Sequence, residues 1–208
     1  MNSEIPCEEI RFTSEKDFHQ FCEKIKSELS SREKKICSSA DYRKASVLIL
    51  LVNKNSSPHV ILTMRTDKVS THKGDVSFPG GTIDAEDENS LFTALRETCE
   101  EIGIPPEKIK VLGEFDEYIS LAGFHVNVFA GAADYPLQYN LSEDEIDSIL
   151  EVPLSCFCNE GYYKCDRFEH KGEEVCVYYY DYCGTTVWGM TARILTDFAG
   201  IILKQKDL

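Results

Sequence analysis

The sequence is short of positive charge: 22 Lys and Arg stand against 36 Asp and Glu over 208 residues, a formal charge of −14. Non-specific nucleic-acid binding relies on Lys and Arg neutralising phosphates, so this balance disfavours a nucleic-acid partner. An anionic substrate would need a local cation, either a basic pocket or a bound metal. Long apolar runs are also missing. The longest, Ala45–Val52, is far too short to span a bilayer, and MNSEIPCEEIRF has neither the basic start nor the apolar stretch of a secretory leader. No membrane partner is expected. Nine cysteines are present, yet none forms a C-x-x-C pair and their number is odd. A chain of this length needs no disulfide staples, so the spacing predicts reduced, mostly packed thiols and a cytoplasmic setting. Cys156 and Cys158 lack a second matched pair, which leaves zinc as a minor alternative. Internal repeats and low-complexity segments are absent.

With 42% hydrophobic and 28% charged residues, the composition is that of a folded globular domain. Residues 14 to 32 carry Phe18, Phe21, Cys22, Ile25 and Leu29 at helical spacing behind a candidate N-cap, Ser14. Ala45–Val52 and His59–Thr63 are rich in β-branched residues and flank NKNSSP, predicting a strand pair. A polar, basic loop follows from Arg65 to Asp75, then a short strand at Val76–Phe78. From Glu88 to Ile102 the period becomes helical, with Leu91, Leu95, Thr98 and Ile102 on one face, ended by Gly103 and Pro105-Pro106. Lys108–Glu114 and Phe124–Gly131 read as strands. Ser142–Leu150 reads as a short acidic helix, because Ser142 and Glu145 form a capping-box pattern. Gly161–Asp181 reads as turns and aromatic-rich strands, and Met190–Lys204 as a closing helix. Strands and helices interleave without regular alternation, predicting a mixed β-sheet with helices on its faces, an α/β (α+β) class.

The chemistry concentrates in FPGGTIDAEDENSLFTALRETCEEIGI, Phe78 to Ile104. At about 100° per residue, Glu97 and Glu101 lie about 40° apart and Glu100 about 60° beyond Glu97, an acidic stripe bordering the apolar face. Carboxylates crowded in this way repel one another unless a cation neutralises them. Hard oxygen donors with incomplete coordination suit Mg²⁺ or Mn²⁺. Gly80-Gly81 allows close backbone approach, so a carbonyl there could join a metal site.

This segment resembles the Nudix box, G-x5-E-x7-R-E-U-x-E-E-x-G-U, where U is a bulky apolar residue. Glu88, Arg96, Glu97, Glu100, Glu101, Gly103 and Ile104 fall in register. Two positions depart from it: Gly81 lies one residue upstream of the expected glycine, which is Thr82, and Thr98 occupies an apolar position. FPGG-x-x-D-x-x-D followed by T-A-L-R-E is similar to the coenzyme A diphosphatase branch. ILTMRTDKVSTHKGDVSFPGG, EIDSILEVPLSCF and WGMTARIL resemble further stretches of that branch.

The resemblance implies a Nudix α/β/α sandwich over residues 41–208 behind a helical extension, 1–40. It implies Mg²⁺- or Mn²⁺-dependent hydrolysis of the diphosphate of coenzyme A or acyl-CoA, giving 3′,5′-ADP and (acyl-)4′-phosphopantetheine. Glu97, Glu100 and Glu101 would hold metal with the Gly81 backbone, and Arg96 would orient a glutamate. Glu88 would support the helix start and contact Arg96. The general base would be Glu97 or a glutamate outside the box, Glu145 in preference to Glu143. Arg65, His72 and Lys73 would receive substrate phosphate. The aromatics Tyr178–Tyr180, Tyr182 and Trp188 are read mainly as core, with adenine stacking as the alternative. The partner implied is a small coenzyme A-like diphosphate, and a homodimer is compatible. Alternatives are a Nudix hydrolase of ADP-ribose, a dinucleotide or an oxidised nucleotide, or a non-catalytic Nudix module. Lys206-Asp207-Leu208 matches neither a peroxisomal nor an ER-retention tripeptide.

Overall fold

Ala45–Val52 is apolar at nearly every position, and a strand of that kind is stable only where both faces of its sheet are covered. The computed structural model, which describes residues 10–37, 42–66, 74–158, 161–170 and 173–203, puts it there. Strand β1 (Arg43–Lys54) turns back into β2 (Ser57–Arg65) through Asn55 and Ser56, both at positive φ (52° and 62°). Such turns match the twist of paired strands. Next come β3 (Val76–Ser77), β4 (Gly80–Thr82) and helix α2 (Ser90–Ile102), then β5 (Lys110–Ile119), β6 (Phe124–Ala132) and β7 (Ile146–Pro153). The order is β3-β2-β1-β6-β5, with β4 paired to the first half of β1 and β7 to β2. β1 and β6 are parallel while the other pairs are antiparallel, so the sheet is mixed.

Alternation along β1 assigns its two faces. Leu48, Leu50 and Val52 pack with Ala94 and Ile102 of α2. Ile49 and Leu51 pack on the other side with helix α1 (Glu15–Ser31) and helix α3 (Gly189–Ile202). A second sheet, β8 (Lys164–His170), β9 (Glu173–Tyr182) and β10 (Thr185–Trp188), leads into α3 and shares that core. The architecture is the expected sandwich of helices about a mixed sheet.

The α1 face is the one its periodicity predicts: Phe18, Phe21, Cys22, Ile25 and Leu29 are all buried. Asp17 accepts the backbone N–H of Thr13 (2.7 Å) and Ser14 (3.0 Å), restraining the first turn. The chain after α1 runs along the outer edge of β5, where Glu117 N–H donates to the Lys35 carbonyl (3.0 Å). Arg32 pairs with Asp116 (2.5 Å), while Lys34 and His125 pair with Glu117 (2.8 and 2.9 Å). These contacts cover an otherwise open sheet edge.

Three expectations change. The acidic helix at Ser142–Leu150 is not formed. One turn closes, with Ile146 N–H donating to the Ser142 carbonyl (2.8 Å), and the chain then extends as β7 against β2. The capping signal is worth one turn, whereas pairing satisfies a whole row of backbone groups on β2. The strand at Gly80–Thr82 is an addition, because two glycines carry little strand propensity and only the edge of β1 recruits them. The thiols are not uniformly free either. Cys165 and Cys176 are joined, 6.1 Å apart at Cα, because the β8–β9 register sets Cys165 opposite Tyr178 and Cys176 opposite Arg167, leaving the two cysteines diagonal neighbours. Among the described residues, no helix is long and apolar enough to cross a membrane.

Candidate active site

The route from β3 through β4 to α2 brings backbone and carboxylates to one place. The Gly80 N–H donates to Glu101 Oε2 (3.1 Å). Gly80 has φ +150°, and a Cβ there would run into the Ser46 carbonyl and Val47. A Cβ on Gly81 would overlap the Glu97 carboxylate. Gly80 therefore requires glycine, since backbone blocks a side chain there, whereas at Gly81 the obstacle is the end of the Glu97 side chain.

The buried side of α2 comprises Thr93, Ala94, Thr98, Glu101 and Ile102, whereas Leu91 and Leu95 are half-buried. The helix is rotated relative to the predicted face, and Glu101 lies inside it instead of at its border, only 3% exposed. Burial pushes the Glu101 carboxyl up to about 8, with the Gly80 N–H opposing and the Glu97 charge adding. Glu97 is also raised, first by burial, against the pull of Arg96 and with the help of Glu100 and Glu145. Two carboxylates that resist ionising side by side favour a cation between them. Glu145, just ahead of β7, is close enough to act on both; the Thr66 N–H holds its carbonyl (2.9 Å). Glu100 is directed elsewhere. Its carboxylate is 58% exposed and accepts Arg96 Nη1 at 2.8 Å. Among the described residues no three carboxylate, imidazole or thiol side chains converge as a metal-binding group. The donor set nonetheless fits a hard divalent cation: Glu97 and Glu101 supply carboxylate oxygens, and the missing Cβ of Gly81 lets the Glu97 carboxylate lie directly against the backbone there.

Arg96 connects this set to the loop before the helix. Its Nε and Nη2 each donate to Asp87 at 2.9 Å, while Nη1 lies 3.0 Å from Glu97 Oε1 and 2.8 Å from Glu100 Oε2. The carboxylate beneath Arg96 is thus Asp87, not Glu88 as the sequence pattern implied. Glu88 is exposed and forms no ion pair with Arg96. Sequence reasoning passed over Asp87, although the D-x-x-D spacing just before the helix contained it.

Of the basic residues expected to meet phosphate, Arg65 reaches the site, with Nη1 3.9 Å from Glu101 Oε1. His72 and Lys73 lie outside the described residues. Among the aromatics, Tyr180 is buried and Tyr178 and Tyr182 pack against the core from half-buried positions. Trp188 departs from the core reading: it is 43% exposed and stacks on Tyr179, with ring centroids 6.0 Å apart and planes 5° from parallel. A cavity of about 470 Å³ is lined by Lys54, Tyr139, Glu151, Tyr182 and Thr185. It adjoins the far end of β1 from Ser46, the residue that pairs with Gly81, and none of the site carboxylates lines it.

A strand, a double glycine and a helix bearing the buried Glu101, the partly buried Glu97 and a bridging arginine make a site whose donors fit a divalent cation. Residues 42–155 match the NUDIX domain, and the chain belongs to the Nudix family of hydrolases, enzymes that cleave diphosphate (phosphoanhydride) linkages. It is 38% identical over 157 residues to the protein named uncharacterized Nudix hydrolase NudL of Citrobacter koseri, a match covering 76% of this chain and 81% of the relative. Identity to the same-named protein of Escherichia coli K12 is 35% over 159 residues, covering 76% and 82%. Among solved structures, a MutT/nudix family protein from Enterococcus faecalis matches 89% of this chain and 73% of its own at 17% identity, with a TM-score of 0.49. The ADP-ribose complex of the NUDIX domain of Shewanella oneidensis NrtR matches 61% and 77% at 19% identity, with a TM-score of 0.41.

Proposed function

We propose that this Nudix hydrolase cleaves the diphosphate of coenzyme A or an acyl-CoA, releasing 3′,5′-ADP and 4′-phosphopantetheine or its acylated form. One observation carries the reading. Arg65 and the Gly80 N–H close on the buried Glu101, with Glu97 one helical turn away. Arg65 and Gly80 both belong to the stretch, Ile61 to Gly81, whose sequence resembles the coenzyme A branch.

Glu97 and Glu101, with the Gly81 carbonyl and Glu100 at the rim, would hold Mg²⁺ or Mn²⁺, which when bound offsets diphosphate charge and makes water more acidic. The chain's own residues supply the rest. Arg96 restrains Glu97 and Glu100 by donating to both. Glu145 or Glu97 accepts the proton of the attacking water, Glu145 being favoured because it lies outside the ligand pair yet close enough to act on it. Arg65, His72 and Lys73 orient the phosphates, Arg65 through its planar fork. The hydrolase domain is assigned to residues 41–208 and the extension to 1–40, whose helix α1 packs on β5, with β6 and β1 between β5 and β4. A cytoplasmic location follows from the same reading.

The test is turnover of coenzyme A, 3′-dephospho-coenzyme A and ADP-ribose with Mg²⁺ and Mn²⁺, with products identified by mass. Preference for coenzyme A, giving 3′,5′-ADP, is expected. Equal turnover of all three would overturn the substrate assignment in favour of a broader nucleoside diphosphate hydrolase. A folded protein inactive on every diphosphate would overturn the enzymatic reading in favour of a binding module.

A further inference from the structure

Asp87 is the most confined carboxylate around Arg96. Its side chain is 2% exposed, against 60% for Asp84 and 58% for Glu100, which also lie near the guanidinium. It accepts four hydrogen bonds: Arg96 Nε (2.9 Å), Arg96 Nη2 (2.9 Å), the Asp84 N–H (2.9 Å) and Thr93 Oγ1 (2.8 Å). Two of these tie it to its own loop and to the first turn of α2, so it cannot follow the arginine if the arginine moves. We infer that Asp87 is a positioning residue for the catalytic glutamates, acting through Arg96. The inference rests on the reading of the site as a metal-dependent diphosphatase.

The physical reason is the shape of the guanidinium. Its donors lie in one rigid plane, so gripping the Nε/Nη2 edge bidentately determines where Nη1 points. Nη1 is the atom that meets Glu97 Oε1 and Glu100 Oε2. Released from Asp87, the guanidinium would be shared among Asp84, Glu97 and Glu100, and the Glu97 carboxylate would be drawn out of register with Glu101. Glu88 is exposed and is not among the carboxylates that pair with Arg96. The loop between Gly81 and Glu88 is one residue longer than the box pattern, and Asp87 occupies the place beneath Arg96.

A residue that merely pins the loop would stabilise the fold without affecting metal or catalysis, and the test separates the two roles. Mn²⁺ affinity of the free protein, read by electron paramagnetic resonance, is measured with kcat and KM for Asp87→Asn, Asp87→Glu, Glu88→Gln, Arg96→Lys and the Asp87→Asn/Arg96→Lys double variant. Asp87→Asn is expected to lower Mn²⁺ affinity or kcat by about 10- to 100-fold, the usual size for a partner behind a ligand, with KM nearly unchanged. Asp87→Glu should recover part of the loss, and Glu88→Gln should resemble wild type. In the Arg96→Lys background, Asp87→Asn should add little, since the two act as one unit. Should Asp87→Asn not fold, Thr93→Val removes one of the four hydrogen bonds at similar volume and should show the same loss in smaller measure. Wild-type Mn²⁺ affinity and kcat in Asp87→Asn and Thr93→Val, or full multiplication of effects in the double variant, would overturn the inference. A wild-type protein that neither binds Mn²⁺ nor hydrolyses any diphosphate would overturn the functional reading, and this one with it.

Discussion

Glu101→Gln tests whether the site is built to be unstable without its cation. The Glu101 carboxyl has its folded pKa raised to about 8 from an ordinary 4.5. The folded protein therefore keeps a proton there that the unfolded chain has released, and stability falls as pH rises from about 4.5 to about 8. At 1.36 kcal/mol per pH unit, that amounts to up to about 3 kcal/mol by pH 7. Glutamine is nearly isosteric, still accepts the Gly80 N–H and cannot ionise. Metal-free Glu101→Gln should therefore be more stable than wild type at pH 7, with Tm higher by roughly 5–10 °C for a chain of this size. The gap should close toward pH 4.5. Adding Mg²⁺ should raise the Tm of wild type and not of the variant, since only a folded state that binds gains by mass action. Hydrolysis should be lost in the variant. The measurements are thermal melts from pH 4.5 to 8 in EDTA and in Mg²⁺, alongside the activity assay. A metal-free variant equal to or less stable than wild type at pH 7, or a gap that does not shrink with acid, would refute the reasoning.

Three further outcomes follow from particular contacts. Glu117 is held at about 2: burial alone would raise it, but Lys34, the Cys37 N–H and His125 bring it down. Its stabilisation, about 3 kcal/mol, is complete above pH 4.5 and lost as pH falls toward 2; Glu117→Gln should lower stability at pH 7, with urea melts of the two proteins converging near pH 2. Gly81→Ala forces a Cβ into the Glu97 carboxylate, so kcat should fall by on the order of 100-fold while circular dichroism stays native; an active Gly81→Ala would show that Glu97 is free to move. Cys22 is buried, with its thiol pushed up to about 12, whereas Cys183 is exposed; mass spectrometry after brief iodoacetamide treatment should find Cys183 alkylated and Cys22 untouched until the protein is unfolded.

The sequence by itself determined the elements whose signals are local. The period of α1, the apolar runs of β1 and β2 and the register of Glu97, Glu100 and Glu101 on α2 all follow from spacing along one segment. Spacing also identified the glutamates and the double glycine as one chemical unit, and through them the hydrolase family. What only the tertiary structure decided depends on partners distant in the chain. Ile146–Pro153 is a strand because β2 has a row of backbone groups to satisfy, which outweighs one good capping box. Glu101 is buried, not bordering, because β4 and the Gly80 N–H close over it. Asp87 replaces Glu88 beneath Arg96 because the loop folds back on the helix. The aromatics of β9 and β10 divide, Tyr180 inward and Trp188 outward, once the register with α3 and the main core is set. Periodicity locates a face to within a residue or two, and burial depth, ion-pair choice and proton affinity change over that same distance. Those quantities arise when separate segments meet.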